Sequence, residues 1–202
     1  LGSLFVGSND GLKDLEGLSK IQEMEGEIFV KLNPQLADVE GLRNLRRVGG
    51  LYLKHNGIAT LSGLSSLETV DTNLDLEDND GISTLEGLSA LQRVGGYLDI
   101  NNSSFLESLV GMEKLSEVEG SFFLARNSKL KTTNGLEGLR TVGGDFWMDA
   151  NGLQELDALH GLQKIGGDLW IRYNLSLSTD VAADWAATVT VGGNQQILGN
   201  AP

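Results

Sequence analysis

The chain has no cysteine and only two prolines and two histidines in 202 residues. Without cysteine there is no disulfide, thiolate zinc site, iron–sulfur cluster or cysteine nucleophile, and histidine chemistry is confined to His55 and His160. Those two fall far apart in the pattern below, one at a bend and one in a return arm, so they suggest neither a metal site nor a triad. Basic side chains are scarce as well. Fifteen against 28 acidic ones give a formal charge of −13, which argues against nucleic acid and anionic lipid surfaces as partners. No apolar run nears the roughly 18 residues that span a bilayer, and the opening residues show no signal-peptide pattern. What is plentiful is glycine, 27 residues, within a composition that is 40% apolar and able to form a core.

The glycines belong to a repeat. One register fits nearly the whole chain: two apolar residues two apart, a bend ending in asparagine, apolar residues every third position, then Val-Gly-Gly, with a period of about 24. The asparagine column reads Asn9, Asn33, Asn56, Asn79, Ser103, Asn127, Asn151, Asn174 and Asn200. The first inward column starts Leu4, Ile28, Leu51, Leu74 and the second Val6, Val30, Leu53, Leu76. Period-two apolar residues repeated at this spacing predict short strands stacked parallel and in register. Leucines at spacing three, as in Leu106, Leu109, Met112 and Leu115, predict a return arm of turns or short helical pieces. Pairs such as Gly49-Gly50, Gly95-Gly96 and Gly143-Gly144 are expected to supply positive φ where each coil turns into the next strand. The asparagines are expected to form a ladder that satisfies backbone groups at the bend.

The pattern breaks after Asn174. Ser178-Thr179-Asp180 before Val181 to Ala187 has helix-start chemistry, and Asn194 to Asn200 reads as a last strand. Leu1-Gly2-Ser3 reads as the remnant of a tag. The expected organisation is therefore residues 1–3 as remnant, 4–174 as repeats and 175–202 as a C-terminal cap, in a piece excised from a longer protein.

The register Gly-Leu-x-x-Leu-x-x-Val-Gly-Gly-x-Leu-x-Ile-x-x-Asn, as in Gly87-Leu88 to Asn101, resembles the L-domain branch of leucine-rich-repeat-like solenoids. That branch includes the ligand-binding L domains of insulin and EGF receptors and surface or secreted arrays of bacteria. The resemblance implies a right-handed parallel β-solenoid, one strand per repeat, whose partner docks on the exposed sheet face. Lacking cysteines and a cysteine-rich module, the chain departs from the receptor versions and fits a microbial surface or secreted protein better.

Function is sought where the repeat does not explain a residue. The outward position between the two core columns reads Phe5, Phe29, Tyr52, Asp75, Asp99, Phe123, Trp147 and Trp170, and holds six of the chain's twelve aromatics. With strands about 4.8 Å apart, Phe123, Trp147 and Trp170 are expected as adjoining plates on an exposed face, with Asp149 and Arg172 among the charged fringe. Phe29 and Tyr52 form a second patch. Three readings are open: a protein-binding surface, a glycan platform, and cross-strand stacking that only stabilises the sheet. Asp75 and Asp99 lie on adjacent rungs, where two stacked carboxylates repel unless a basic group answers them; they are expected as solvated surface carboxylates. Their spacing is near the roughly 5–5.5 Å of a retaining glycosidase, but a flat sheet offers no water-excluding pocket, so no enzyme is expected.

The resulting expectation is a non-catalytic extracellular or cell-surface recognition module for a protein ligand, with a carbohydrate-binding module or a structural scaffold as the alternatives. It would bind through Phe123, Trp147, Trp170, Asp75, Asp99, Phe29, Tyr52, Asp149 and Arg172, need no cofactor or metal, make no membrane insertion, and be monomeric or weakly self-associating.

Overall fold

A computed structural model describes residues 2–202; Leu1, part of the expected remnant, lies outside the described residues. The chain forms β1 (Leu4–Gly7), β2 (Glu23–Asn33), β3 (Arg47–Asn56), β4 (Thr69–Val70), β5 (Leu74–Asp75), β6 (Arg93–Val94), β7 (Leu98–Asn101) and β8 (Glu117–Val118). It continues with β9 (Phe122–Ala125), β10 (Thr141–Val142), β11 (Phe146–Asp149), β12 (Lys164–Ile165), β13 (Leu169–Arg172), α1 (Thr179–Ala186), β14 (Thr190–Val191) and β15 (Gln195–Leu198). Among the described residues all fifteen strands join one sheet, and every pairing is parallel. This is an open, solenoid-like sheet in which each coil adds one rung.

Each rung after the first contributes twice. The principal ladder runs β1, β2, β3, β5, β7, β9, β11, β13, β15, nine rungs in the expected register, for example Phe146↔Leu169 and Met148↔Ile171. A second ladder of two-residue pairings, Val48↔Val70, Val70↔Val94 and Val94↔Val118 among them, precedes the Gly-Gly positions. Sequence reading treats those residues as part of the turn, because two residues are too short for a period-two signal. In β2 and β3 both ladders fuse into single bent strands.

The core lies between the principal ladder and the return arms. Interior inward residues such as Ile28, Leu51, Leu98, Phe122 and Phe146 are fully buried, each stabilising the fold by about 1.5–3 kcal/mol. Phe122 and Phe146 stack at 4.9 Å. The arms carry 3-10 turns at Glu16–Leu18, Glu40–Leu42, Ser62–Leu64, Glu86–Leu88 and Asp157–Gly161. The apolar side of α1 buries Ala182 and Ala186 at the C-terminal end.

The glycine pairs require a correction. None of them has positive φ. A Cβ on Gly49 would overlap the carbonyl oxygen of Glu25, and one on Gly143 that of Glu119, so these glycines exist because successive coils approach too closely for any side chain. The left-handed backbone sits instead just before the asparagine column. Ser8, Leu32, His55, Asp78, Asn102, Arg126, Ala150 and Tyr173 have φ of 52–59°. This conformation costs roughly 1–2 kcal/mol per residue, and no common residue type marks it in the sequence.

The asparagine ladder offsets that cost. Asn127 is fully buried; its Nδ2 donates to the Ile100 carbonyl (2.8 Å), while its Oδ1 accepts from the Ser103 N–H (2.9 Å). The same two bonds recur at Asn151 and Asn174. Between the rungs of Asn79 and Ser103 both are missing; Asn79 keeps the regular bond from its Nδ2 to the Leu53 carbonyl (2.5 Å), and the same amide also donates to the Leu76 carbonyl (2.9 Å).

Candidate functional site

The outward face of the principal ladder carries two aromatic stacks separated by a polar centre. In the first, Phe29 and Tyr52 lie parallel at 4.4 Å, with Phe5 tilted against Phe29 at 6.3 Å. In the second, Trp147 and Trp170 stack at 4.3 Å with 8° between planes, and Phe123 meets Trp147 edge-on at 4.9 Å. The guanidinium of Arg172 lies 3.9 Å from the Trp170 ring centre, within cation–π range.

The expected tiling of adjoining plates is thus replaced by stacking along the ladder. Trp147 turns its faces toward Trp170 and Phe123, and Trp170 lies between Trp147 and Arg172. The rings are half-buried, and both indole N–H groups are shielded without a hydrogen-bond partner. Parallel strands less than 5 Å apart make face-to-face contact the natural packing of large rings on successive rungs. Asp149 and Arg172, expected as a free fringe, form an ion pair on adjacent rungs and are mostly buried. Asp145 and Asp168 serve the backbone: their Oδ1 atoms accept the N–H groups of Asp168 (2.8 Å) and Asn194 (2.7 Å).

The polar centre departs furthest from expectation. Asp75 and Asp99 are paired rung to rung, but neither is a solvated carboxylate. Asp75 is only 2% exposed. Lys54 lies 3.0 Å from Asp75 and 2.7 Å from Glu77, and the Tyr97 hydroxyl donates to Asp75 Oδ2 (3.3 Å). The basic answer to the acid pair comes from the chain's own Lys54. Sequence reading passed over it, although Lys54 stands in the outward column directly before Glu77. Asp99 is left out of this arrangement: its Oδ1 is buried with no partner.

The electrostatics follow from those positions. Burial, then the charges of Asp75 and Glu77, push the Asp99 carboxyl up to about 7. The hydrogen bond from Lys54 holds Glu77 below the usual carboxylate range. Burial works against the charge of Lys54, but the hydrogen bonds it donates to Glu77 and Asp75 outweigh it and raise its value. Burial, with Asp75 adding to it, raises the Tyr97 phenol. Tyr52 closes the edge of the centre by donating to Glu27 (3.1 Å) and accepting from Asn73 (3.0 Å).

Away from the face, His55 pairs with Asp78 at 3.1 Å, and His160 donates from Nδ1 to the Asp157 carbonyl (3.0 Å). An open groove of about 610 Å³ lies between the arm at Leu156–His160 and the Val181–Trp185 side of α1. Among the described residues, no group of three or more acidic or histidine side chains could hold a metal ion, and no helix is long and apolar enough to cross a membrane. Comparison with protein-family models and with curated proteins finds no match to this chain.

Proposed function

We propose that the chain is a non-catalytic recognition module of the extracellular space or cell surface, a right-handed leucine-rich-repeat-like solenoid of L-domain type that binds a protein ligand through the outward sheet face. One observation carries this reading: six large aromatics occupy a single outward column and stay partly exposed after stacking, Phe5 by more than half, around a charged centre. Partly exposed aromatic rings beside desolvated charges are the composition of binding hot spots. A glycan platform needs an open ring face, and Trp147 and Trp170 turn theirs to each other and to Phe123 and Arg172. The geometry therefore favours a protein partner, which contacts edges, over a sugar ring, which stacks on faces.

The test pairs affinity capture from the native extracellular milieu with a glycan array, using the chain and a Phe123→Ala/Trp147→Ala variant checked for equal folding by circular dichroism. A saturable protein partner retained by the chain and weakened at least tenfold by the variant is the expected result. Glycan binding lost in the variant would replace the reading with carbohydrate recognition, and a partner held equally by both would move the site off this face.

A further inference from the structure

The two ends of the sheet complement one another. Among the described residues β1 pairs only with β2, and β15 only with β13, so each leaves one edge open. Exposed edges in β proteins are commonly blocked by charge, proline or a bulge. Here the strands read Leu-Phe-Val-Gly and Gln-Gln-Ile-Leu, four residues each, uncharged and without proline, in a chain of net charge −13. Both ends also leave apolar surface uncovered. Leu4, Val6, Leu12, Leu18 and Ile21 are only partly buried at one end, and Val191 and Ile197 at the other, while their counterparts on interior rungs are buried.

The hydrogen-bonding groups are complementary in direction. On most rungs the asparagine N–H donates to the Oδ1 of the next rung, as from Asn33 to Asn56 (3.2 Å) and from Asn174 to Asn200 (3.0 Å). Among the described residues, Asn9 Oδ1 accepts nothing at the head of this series, and the Asn200 N–H donates to nothing at its foot. The backbone repeats the relation. Leu169 donates to Asn194 and Leu76 to Asp99, each at 2.9 Å; the same positions on β15 are the N–H groups of Gln195 and Ile197, which face the open side.

We propose that copies of this chain stack head to tail, β15 of one copy adding to β1 of the next as a parallel strand. Gln195 and Ile197 then donate to the Ser3 and Phe5 carbonyls of the following copy, the Asn200 N–H meets its Asn9 Oδ1, and Ile197 packs on Val6. A contact between unlike ends does not close on itself, so the product is an open series rather than a fixed dimer. Net charge of one sign opposes it, so added salt favours it.

Sedimentation across a wide concentration series at moderate salt tests the joint, with two blocked variants. Phe5→Pro removes a donor aimed at the open edge of β1, and Gln195→Pro does the same on β15. The chain should grow past dimer with concentration, each variant alone should stay monomeric, and an equal mixture of the two should give a one-to-one dimer and nothing larger. If a proline variant loses its circular dichroism signal, Val6→Asp and Ile197→Asp replace the pair, because they put a charge into the joint while leaving the backbone intact. A monomer at all concentrations would overturn the proposal. So would a dimer of Gln195→Pro alone, since that requires β1 to pair with β1.

Discussion

Two polar columns run through the same coils with opposite outcomes. The asparagines repeat one residue type along the stack and are satisfied nearly throughout, whereas Asp75 and Asp99 repeat one type over two rungs and leave Asp99 Oδ1 unpaired. An amide carries both a donor and an acceptor, so identical side chains bond in series. A carboxylate carries only acceptors, so identical side chains repel, and the pair persists through an imported cation. A repeating architecture can thus bury asparagine coil after coil, whereas the fully buried carboxylate here, Asp75, sits beside a lysine and its neighbour Asp99 goes unpaired.

Removing that cation should have the largest effect. Lys54→Met leaves Asp75 buried and uncompensated, and an expected loss of about 3–4 kcal/mol is measurable by urea unfolding. Asn127→Ala orphans the Ile100 carbonyl and the Ser103 N–H, and should cost about 3 kcal/mol in the same assay; a loss below 1 kcal/mol would mean that water replaces the amide.

The acid side of the comparison has a pH signature. Asp99 titrates at about 7 in the fold against 3.8 ordinarily, so between those values the folded protein holds a proton that the unfolded chain has lost. Its contribution is greatest below pH 4, declines as pH rises toward 7, and is flat above. Linkage over that interval gives about 4 kcal/mol, which partial solvent access reduces to roughly 2 kcal/mol. Asp99→Asn should therefore raise stability at pH 8 and flatten the profile between pH 4 and 7, as read from unfolding midpoints; an unchanged slope would place the titration elsewhere. The smallest effect is a gain. Ser103→Asn supplies the missing amide toward the Leu76 carbonyl and the Asn79 N–H, and should add about 1 kcal/mol.

The strands, their parallel register and the buried columns were legible because two periodicities, two along the strand and about 24 along the chain, both survive in the residue types. The helix after Ser178 was legible from its start chemistry. The reason for the glycine pairs was not, since local sequence distinguishes neither a φ requirement from a clash with the next coil nor the varied residues that take positive φ. The aromatic column could be placed on one face, but which way the rings turn depends on contacts between coils. Asp75 was assigned to solvent because its column faces outward; Lys54 and Tyr97, arriving from neighbouring rungs, cover it.

The missing amide at Ser103 and the opposed acids at Asp75 and Asp99 fall on the same joint, between the fourth and fifth rungs, where β5 offers only two residues for pairing. Stacks of this kind hold together through contacts between neighbours. Tension along the long axis would part the molecule there first, yielding a four-rung and a five-rung block of separate cohesion rather than a rod that frays evenly from its tips.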